Sequence, residues 1–301
     1  MRILVLTHRF PYPPDKGERI RTYHWLKALA LRDTVDLLSL NDVPVPPEYQ
    51  QRVAEFVDRC RVVLIRPSRR RSLVRALLTH RSITEAHFGS AEFRRALAEW
   101  LAAARYDACL AVCSSMGQYL LDPLPGAPAL LVDFVDADSA KWQRYADAHR
   151  GLSRRLYRRE AREVGRLERD LAAQADAAFA ISTEECARLP ALRGGRPPTA
   201  IPNGVDTEYF RPSQDAGRSR SLVFTGQMDY FPNVDAVTWF GREVWPALHR
   251  QFPALTWHIV GRDPARAVRA LAGLPNVTVT GPVSDVRPFL ASSIALAPLR
   301  I

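Results

Sequence analysis

The sequence predicts an α/β protein made of two doubly wound parallel sheets, the second one incomplete, and three observations carry that prediction. Short apolar runs such as Ile3-Leu4-Val5-Leu6 recur without the polar alternation of a one-sided sheet, as strands buried on both faces require. Segments with helical apolar spacing separate these runs, the alternation that places helices against a parallel sheet. The chain has 301 residues, enough for two domains at about 150 residues each.

Taken in order, further buried strands are expected at 35–40, 62–65, 108–112, 129–132, 177–181 and 199–201. Helices are expected at 20–31, 73–78, 93–101 and 152–171. The pattern stops at 211–221, a stretch of Pro, Ser, Gly and charge that reads as a linker. It restarts with strands at 222–225, 256–260, 277–280 and 294–297, and helices at 234–248, 265–271 and 286–290. The domains are therefore expected at 1–206 and 221–301, joined by a linker at 207–220. About 80 residues are few for a doubly wound domain, and Ile301 follows directly on an apolar strand; the expectation is a chain that is part of a longer protein.

Hydrophobic residues make up 47% and charged residues 25%, which excludes disorder, collagen and coiled coil as global descriptions. No apolar run approaches the roughly 20 residues of a membrane-spanning helix, and the six residues before Thr7 are too short for a secretory signal. The expected location is the cytoplasm. Cys60, Cys109, Cys113 and Cys186 lack metal or redox spacing and read as reduced core residues. The net charge is +10, and all basic residues but Lys16, Lys27 and Lys141 are arginine or histidine, as a GC-rich genome produces. Residues 1–200 hold 32 Lys+Arg against 24 Asp+Glu, and 201–301 hold 10 against 8, so most of the excess is in the first two thirds.

Chemistry is expected where strands end, because ligands of open α/β sheets bind beyond the carboxyl ends of the strands. The first such loop runs from His8 through Pro11, Pro13, Pro14 and Asp15 to Gly17 and a helix N-terminus, a place suited to a phosphate or to sugar hydroxyls. It matches neither the dinucleotide fingerprint nor the P-loop. An ordinary capping box of Asp15 and Glu18 explains the same residues equally well. Ile201-Pro202-Asn203-Gly204-Val205-Asp206 lies at the domain junction, where Asn203 and Gly204 permit a positive-φ turn beside an interdomain cleft. In the second domain, the loops at Gly226, at Gly261-Arg262 and at Gly281 to Asp285 all follow strands, and Arg262 is suited to a phosphate contact.

Pro14-x-x-Gly17, Ile201-Pro-Asn-Gly-Val-Asp206-x-x-x-Phe210-x-Pro212, Gly226, Gly261-Arg262 and Ala297-Pro298 together resemble glycosyltransferase family 4, whose GT-B fold pairs two Rossmann-like domains facing a cleft. Thr225-Gly-Gln-Met-Asp-Tyr-Phe-Pro-Asn233 and Val132-Asp-Phe-Val-Asp-Ala-Asp-Ser-Ala-Lys-Trp142 are similar to the subgroup associated with PEP-CTERM exopolysaccharide systems. The resemblance implies retaining transfer of a sugar from a nucleotide-sugar to a glycan or lipid-linked acceptor, with no cofactor and no tightly bound metal. It places Gly17 near the donor phosphate and acceptor, and Gly226, Gly261, Arg262 and Val283 around the nucleotide. Arginine and backbone N–H groups would then meet the charge that grows on the leaving diphosphate. Where many members of the family carry a histidine, this chain offers Asp133, Asp136 and Asp138, and Asp136 is the expected catalytic residue. The E-x7-E segment of the family would lie beyond Ile301, so residues 1–301 alone are expected to be inactive. A GT-B nucleotide-sugar epimerase is the first alternative, and an Arg-rich nucleic-acid-binding protein, suggested by charge alone, the lesser one.

Two basic stretches stand apart. Residues 66–81 hold six arginines and no acid, with Leu73, Val74, Leu77 and Leu78 able to share one helical face. Such a segment suits an anionic membrane surface, and the plainer reading is a helix packed by its apolar face into the core. In 150–170 arginines alternate with Glu160, Glu163, Glu168 and Asp170, as on an exposed, self-paired helix. No nucleic-acid-binding motif accompanies the charge, so nucleic acid is not expected as a partner.

Overall fold

The computed structural model describes residues 1–15, 17–211 and 220–299; Lys16, most of the expected linker (212–219) and the chain end at Arg300 and Ile301 lie outside them. The chain divides into two compact units, Met1–Asn203 and Gly204–Ile301.

The first unit runs β1 (Arg2–Thr7), α1 (Gly17–Ala30), β2 (Thr34–Asn41), α2 (Pro47–Ala54), β3 (Arg59–Leu64), α3 (Arg69–Thr79), α4 (Ile83–Phe88), α5 (Ala91–Ala103), β4 (Ala108–Val112), α6 (Ser114–Gly117), β5 (Ala129–Val135), α7 (Asp138–Ala148), α8 (Gly151–Gln174), β6 (Ala177–Ala180), α9 (Thr183–Arg188) and β7 (Thr199–Ala200). Its strands form one parallel sheet in the order β3-β2-β1-β4-β5-β6-β7, with β1 at the point where the order reverses. The reason the strands carry unbroken apolar runs is visible in β1. Leu4 and Leu6 pack with Leu38, Leu40, Phe93 and Trp100 on one face, while Ile3 and Val5 pack with Leu26, Leu37 and Val53 on the other. All four cysteines are free; Cys109 and Cys186 are buried, and Cys60 and Cys113 are half-buried. The helices at 47–54 and 138–148, polar on average, are not among those expected from the sequence.

The second unit contains β8 (Ser221–Thr225), α10 (Phe231–Trp239), α11 (Trp245–Gln251), β9 (Thr256–Val260), α12 (Arg266–Ala270), β10 (Val277–Gly281), α13 (Arg287–Ala291) and β11 (Ile294–Ala295), in a parallel sheet ordered β10-β9-β8-β11. Its core gathers Phe224, Met228, Trp245, Trp257 and Ile259. The helix expected as one piece at 234–248 is broken by a π-helical segment, Phe240–Val244, between α10 and α11. Pro246 accounts for the break, since it has no N–H to donate to the preceding turn and its ring crowds that turn's carbonyl.

One buried ion pair fixes the geometry of the first unit. Arg21 on α1 donates Nε to Asp133 Oδ2 (2.6 Å) and Nη2 to Asp133 Oδ1 (2.9 Å), a two-pronged contact with β5. Its Nη1 reaches the carbonyl of Ile201 (2.7 Å) and Oδ1 of Asn203 (3.0 Å) at the end of the unit. The two charged side chains are 3% and 0% exposed, so each depends on the other for solvation. Asp133→Ala leaves the guanidinium buried and uncompensated and is expected to cost about 3–5 kcal/mol of stability. Urea unfolding measures it; a loss below about 1 kcal/mol would show that the pair is not the fixed point it looks to be.

Candidate functional site

In the first unit, the carboxyl ends of β1, β4 and β5 bring one group of polar residues together. The chain leaves β4 with Cys113 at φ 71° and leaves β5 with Val135 at φ 65°, conformations that turn each strand sharply into the following helix. Those turns present Ser114 and Asp138: Ser114 Oγ lies 3.1 Å from Asp138 Oδ2, and Lys141 Nζ lies 2.6 Å from Asp138 Oδ1. His8 follows β1, packs edge-on against Phe88 with ring centres 5.3 Å apart, and has no hydrogen-bond partner for Nδ1 among the described residues. Burial holds its imidazole below the ordinary value, so the ring is neutral at pH 7; the charges of Glu18, Arg9, Asp138 and Lys141 act on it from around the group. The Cys113 thiol is pushed well up by burial and stays protonated. Asp136, between β5 and α7, has its pKa raised by burial and then by the charge of Asp138.

The aspartates expected from the sequence have separate fates. Asp133 is committed to Arg21 and serves the fold. Asp138 pairs with Lys141 and Ser114, while Asp136 has the perturbed carboxyl. His8, Ser114 and Lys141 join them without having been assigned roles from sequence; a histidine directly after the first strand was the available signal.

α7 is held in place by α8 through buried Glu168, which accepts from Ser139 N (3.0 Å) and from the Ser139 hydroxyl. Burial raises the Glu168 carboxyl to about 7 even though both serine contacts lower it.

Gly17 opens α1, and a Cβ there would meet nothing within 4 Å. The close approach expected at this position is therefore not made by the protein's own atoms. Asp15 bonds Arg19 (3.2 Å) and Glu18 pairs with Arg9 (3.4 Å), while the residue before α1, Lys16, on which the expected cap of this helix rests, lies outside the described residues. The positive-φ turn expected at Asn203 and Gly204 is absent; neither residue has positive φ. Asn203 instead gives its amide oxygen to Arg21, which settles its conformation without a left-handed turn.

The second unit does use glycine for close approach. A Cβ on Gly261 would lie 1.7 Å from the carbonyl oxygen of Gly226, and one on Gly226 would lie 2.8 Å from Asn233 Nδ2. The loop after β8 is sewn to the loop after β9 by Gly226 N to Val260 O (3.1 Å) and Met228 N to Arg262 O (3.0 Å), and Gly261 N reaches Gly281 O (3.3 Å) after β10. Gly226, Gly261 and Arg262 thus sit on adjoining strand ends of one edge, with the loop carrying Val283 starting at Gly281, φ 70°. The junction segment folds onto that last loop. Asp206 Oδ1 accepts from Glu208 N (3.1 Å) and Tyr209 N (2.9 Å), and the Tyr209 ring lies 3.9 Å from the Arg287 guanidinium, which is itself paired with Asp285 (2.7 Å).

With this geometry in place, comparison with known proteins gives three results. Residues 219–300, which carry the glycine-linked strand ends, match a family model described as "Glycosyl transferases group 1". No curated protein matches the chain. Solved structures match it in fold, at low identity. A TarM variant of S. aureus in complex with Fondaparinux, alpha-GlcNAc-glycerol and UDP is 7% identical with a TM-score of 0.58, over 97% of this chain and 79% of that one. Arabidopsis thaliana UGT89C1 complexed with UDP is 12% identical with a TM-score of 0.53, over 97% and 74%. A UDP-N-acetylglucosamine 2-epimerase, so described, from Listeria monocytogenes is 14% identical with a TM-score of 0.50, over 96% and 70%. The fold class expected from the sequence, α/β and GT-B-like with two Rossmann-like domains, is the one these comparisons and the two parallel sheets show.

Two outcomes follow from this geometry. Gly261→Ala is expected to cost about 3 kcal/mol or more, because backbone blocks the new methyl, whereas Gly17→Ala changes stability by under about 0.5 kcal/mol; urea melts of both variants measure it, and equal effects would contradict the glycine assignments. For Glu168, the folded pKa lies above the usual 4.5, so the folded state holds the proton more tightly and stability falls as pH rises from about 4.5 to about 7, by up to about 3 kcal/mol. Glu168→Gln is expected to remove that part of the pH dependence; an unchanged slope would contradict it.

Proposed function

We propose that this protein is a glycosyltransferase that moves a hexosyl group from a nucleotide-sugar to a glycan or lipid-linked acceptor, with retention of configuration, in exopolysaccharide synthesis. The observation that carries the reading is the match of residues 219–300 to a glycosyltransferase family model over the strand ends joined through Gly226 and Gly261. In this reading Gly226, Gly261, Arg262 and the loop at Val283 receive the nucleotide diphosphate. Arg262 and the backbone N–H groups of these loops stabilise the charge that develops as the sugar C1–O bond breaks.

Acceptor and sugar fall to the first unit. Gly17, open above its Cα, leaves room at the N-terminus of α1 for an anionic or hydroxyl-rich group. Asp136 takes the proton of the acceptor hydroxyl as that oxygen bonds to C1, a role that suits a carboxyl whose proton affinity burial has raised. The neutral His8 imidazole offers a hydrogen bond to a sugar hydroxyl from Nδ1. No metal and no cofactor has a part in this scheme.

The fold also suits an epimerase, as the Listeria neighbour's description illustrates, and products separate the two. Thermal-shift titration with UDP, GDP, ADP and their sugars is expected to raise Tm for one nucleotide series, since a ligand selective for the folded state stabilises it. Arg262→Ala is expected to weaken that binding by about 10-fold or more, the loss of one charge-assisted phosphate contact of about 1.5–3 kcal/mol. Absence of any shift, or release of altered sugar without an acceptor, would contradict the transferase reading.

A further inference from the structure

The structure turns the two basic stretches into one surface. α3 was expected to pack its leucines inward, but Val74, Leu77 and Leu78 are 56%, 51% and 77% exposed, and the residues it buries are Ser72 and Ala76. On α8 the expected mixture of charges is sorted along the helix. Glu160, Glu163 and Glu168 are buried, and the turns before them, 148–159, contain no acid. Leu152, in those first turns, is 81% exposed.

α8 is tied to α3 and α4 at this place. Arg159 Nη2 donates to the carbonyls of Ala76 (2.8 Å) and Arg81 (3.0 Å). Glu160 accepts from Ile83 N (2.7 Å) and Thr84 N (2.8 Å) at the start of α4. Between the helices runs an apolar groove of about 460 Å³ walled by Leu73, Leu77, Leu152 and Leu156. Beside α3 a second hollow of about 300 Å³ is lined by Arg66, Arg71 and Arg75. Arg155 and Arg159 line the groove as well, and neither 66–81, with six arginines, nor 150–159, with five, contains an acid.

We propose that this α3–α8 surface docks on an anionic lipid bilayer, with Leu77, Leu78 and Leu152 entering the acyl boundary, arginines meeting lipid phosphates, and the arginine hollow taking a headgroup. The pairing of features selects the partner. Exposed leucines in a cationic frame match a surface that is apolar below and anionic above. A single-stranded nucleic acid would call for exposed aromatic rings to stack on, and 66–81 has no aromatic ring but His80, while Tyr157 in 150–159 is stacked on Trp142. Among the described residues no helix is long and apolar enough to cross a membrane, so attachment of this kind lies along the surface. It is independent of the proposed sugar transfer.

Sedimentation of the full chain with sonicated vesicles tests it, comparing phosphatidylcholine alone with phosphatidylcholine containing 30% phosphatidylglycerol (roughly the anionic range of cytoplasmic leaflets). Binding is expected only to the anionic vesicles and to weaken with salt. Arg69→Ser/Arg70→Ser/Arg71→Ser is expected to reduce partitioning on the order of 100-fold, from about five-fold per arginine. All three side chains are exposed, and an unchanged thermal melt checks that the variant is folded. Leu152→Trp reads insertion directly, through quenching by brominated acyl chains. Equal binding to neutral vesicles, no effect of the arginine substitutions, or an unquenched Trp at 152 would each overturn the proposal. Tighter, arginine-dependent binding to single-stranded RNA than to anionic vesicles would overturn it in favour of a nucleic-acid surface.

Discussion

The first unit depends on the buried contact between Arg21 and Asp133. A guanidinium and a carboxylate removed from water lose several kcal/mol of hydration each, which only a close, fully bonded arrangement offsets. Here the arrangement is nearly saturated: two bonds between the partners, two from Arg21 to Ile201 and Asn203, and one from Val135 N to Asp133 Oδ1 at 3.2 Å. That last bond falls at the residue whose positive φ turns the chain out of β5 toward Asp136 and Asp138. One ion pair therefore relates the helix behind the first loop, the strand that delivers the polar group, and the segment leading to the second unit.

In the second unit the equivalent constraint is steric. Strand ends approach so closely that Gly261 has no alternative beside the Gly226 carbonyl, and the resulting backbone bonds hold three loops along one edge. Those bonds hold the backbone of the three loops, and with it the position of Arg262, in a fixed array; in the proposed reading that array meets an anion whose charge grows during the reaction. The two units thus reach polar strand ends by different means, one by burying charge and the other by removing side chains.

Much of the fold was legible because doubly buried strands need unbroken apolar runs; 108–112 and 256–260 coincide with β4 and β9. What escaped depends on contacts distant in sequence. The glutamates of α8 look like surface partners of neighbouring arginines, yet Glu160 is spent on α4 N–H groups 76 and 77 residues away and Glu168 on Ser139, 29 residues away. Asn-Gly signals a left-handed turn locally, but Arg21 claims Asn203 from 182 positions away. The leucines of α3 show helical spacing either way; only the packed structure tells that they face out. Of the expected site residues, Gly226, Gly261 and Arg262 are brought to one edge by short local loops, whereas the polar group of His8, Ser114 and Lys141 required β1, β4 and β5 to be assembled first.

The central claim is that a nucleotide diphosphate is held at the strand ends of the second unit. Hydrogen–deuterium exchange of the protein with and without the nucleotide that binds best tests it most directly, since it reports where backbone N–H groups become protected. The account predicts slowed exchange at 226–228, 261–265 and 281–285, with α3 unchanged. Protection confined to the first unit, or absent from these three loops at saturating nucleotide, would contradict it.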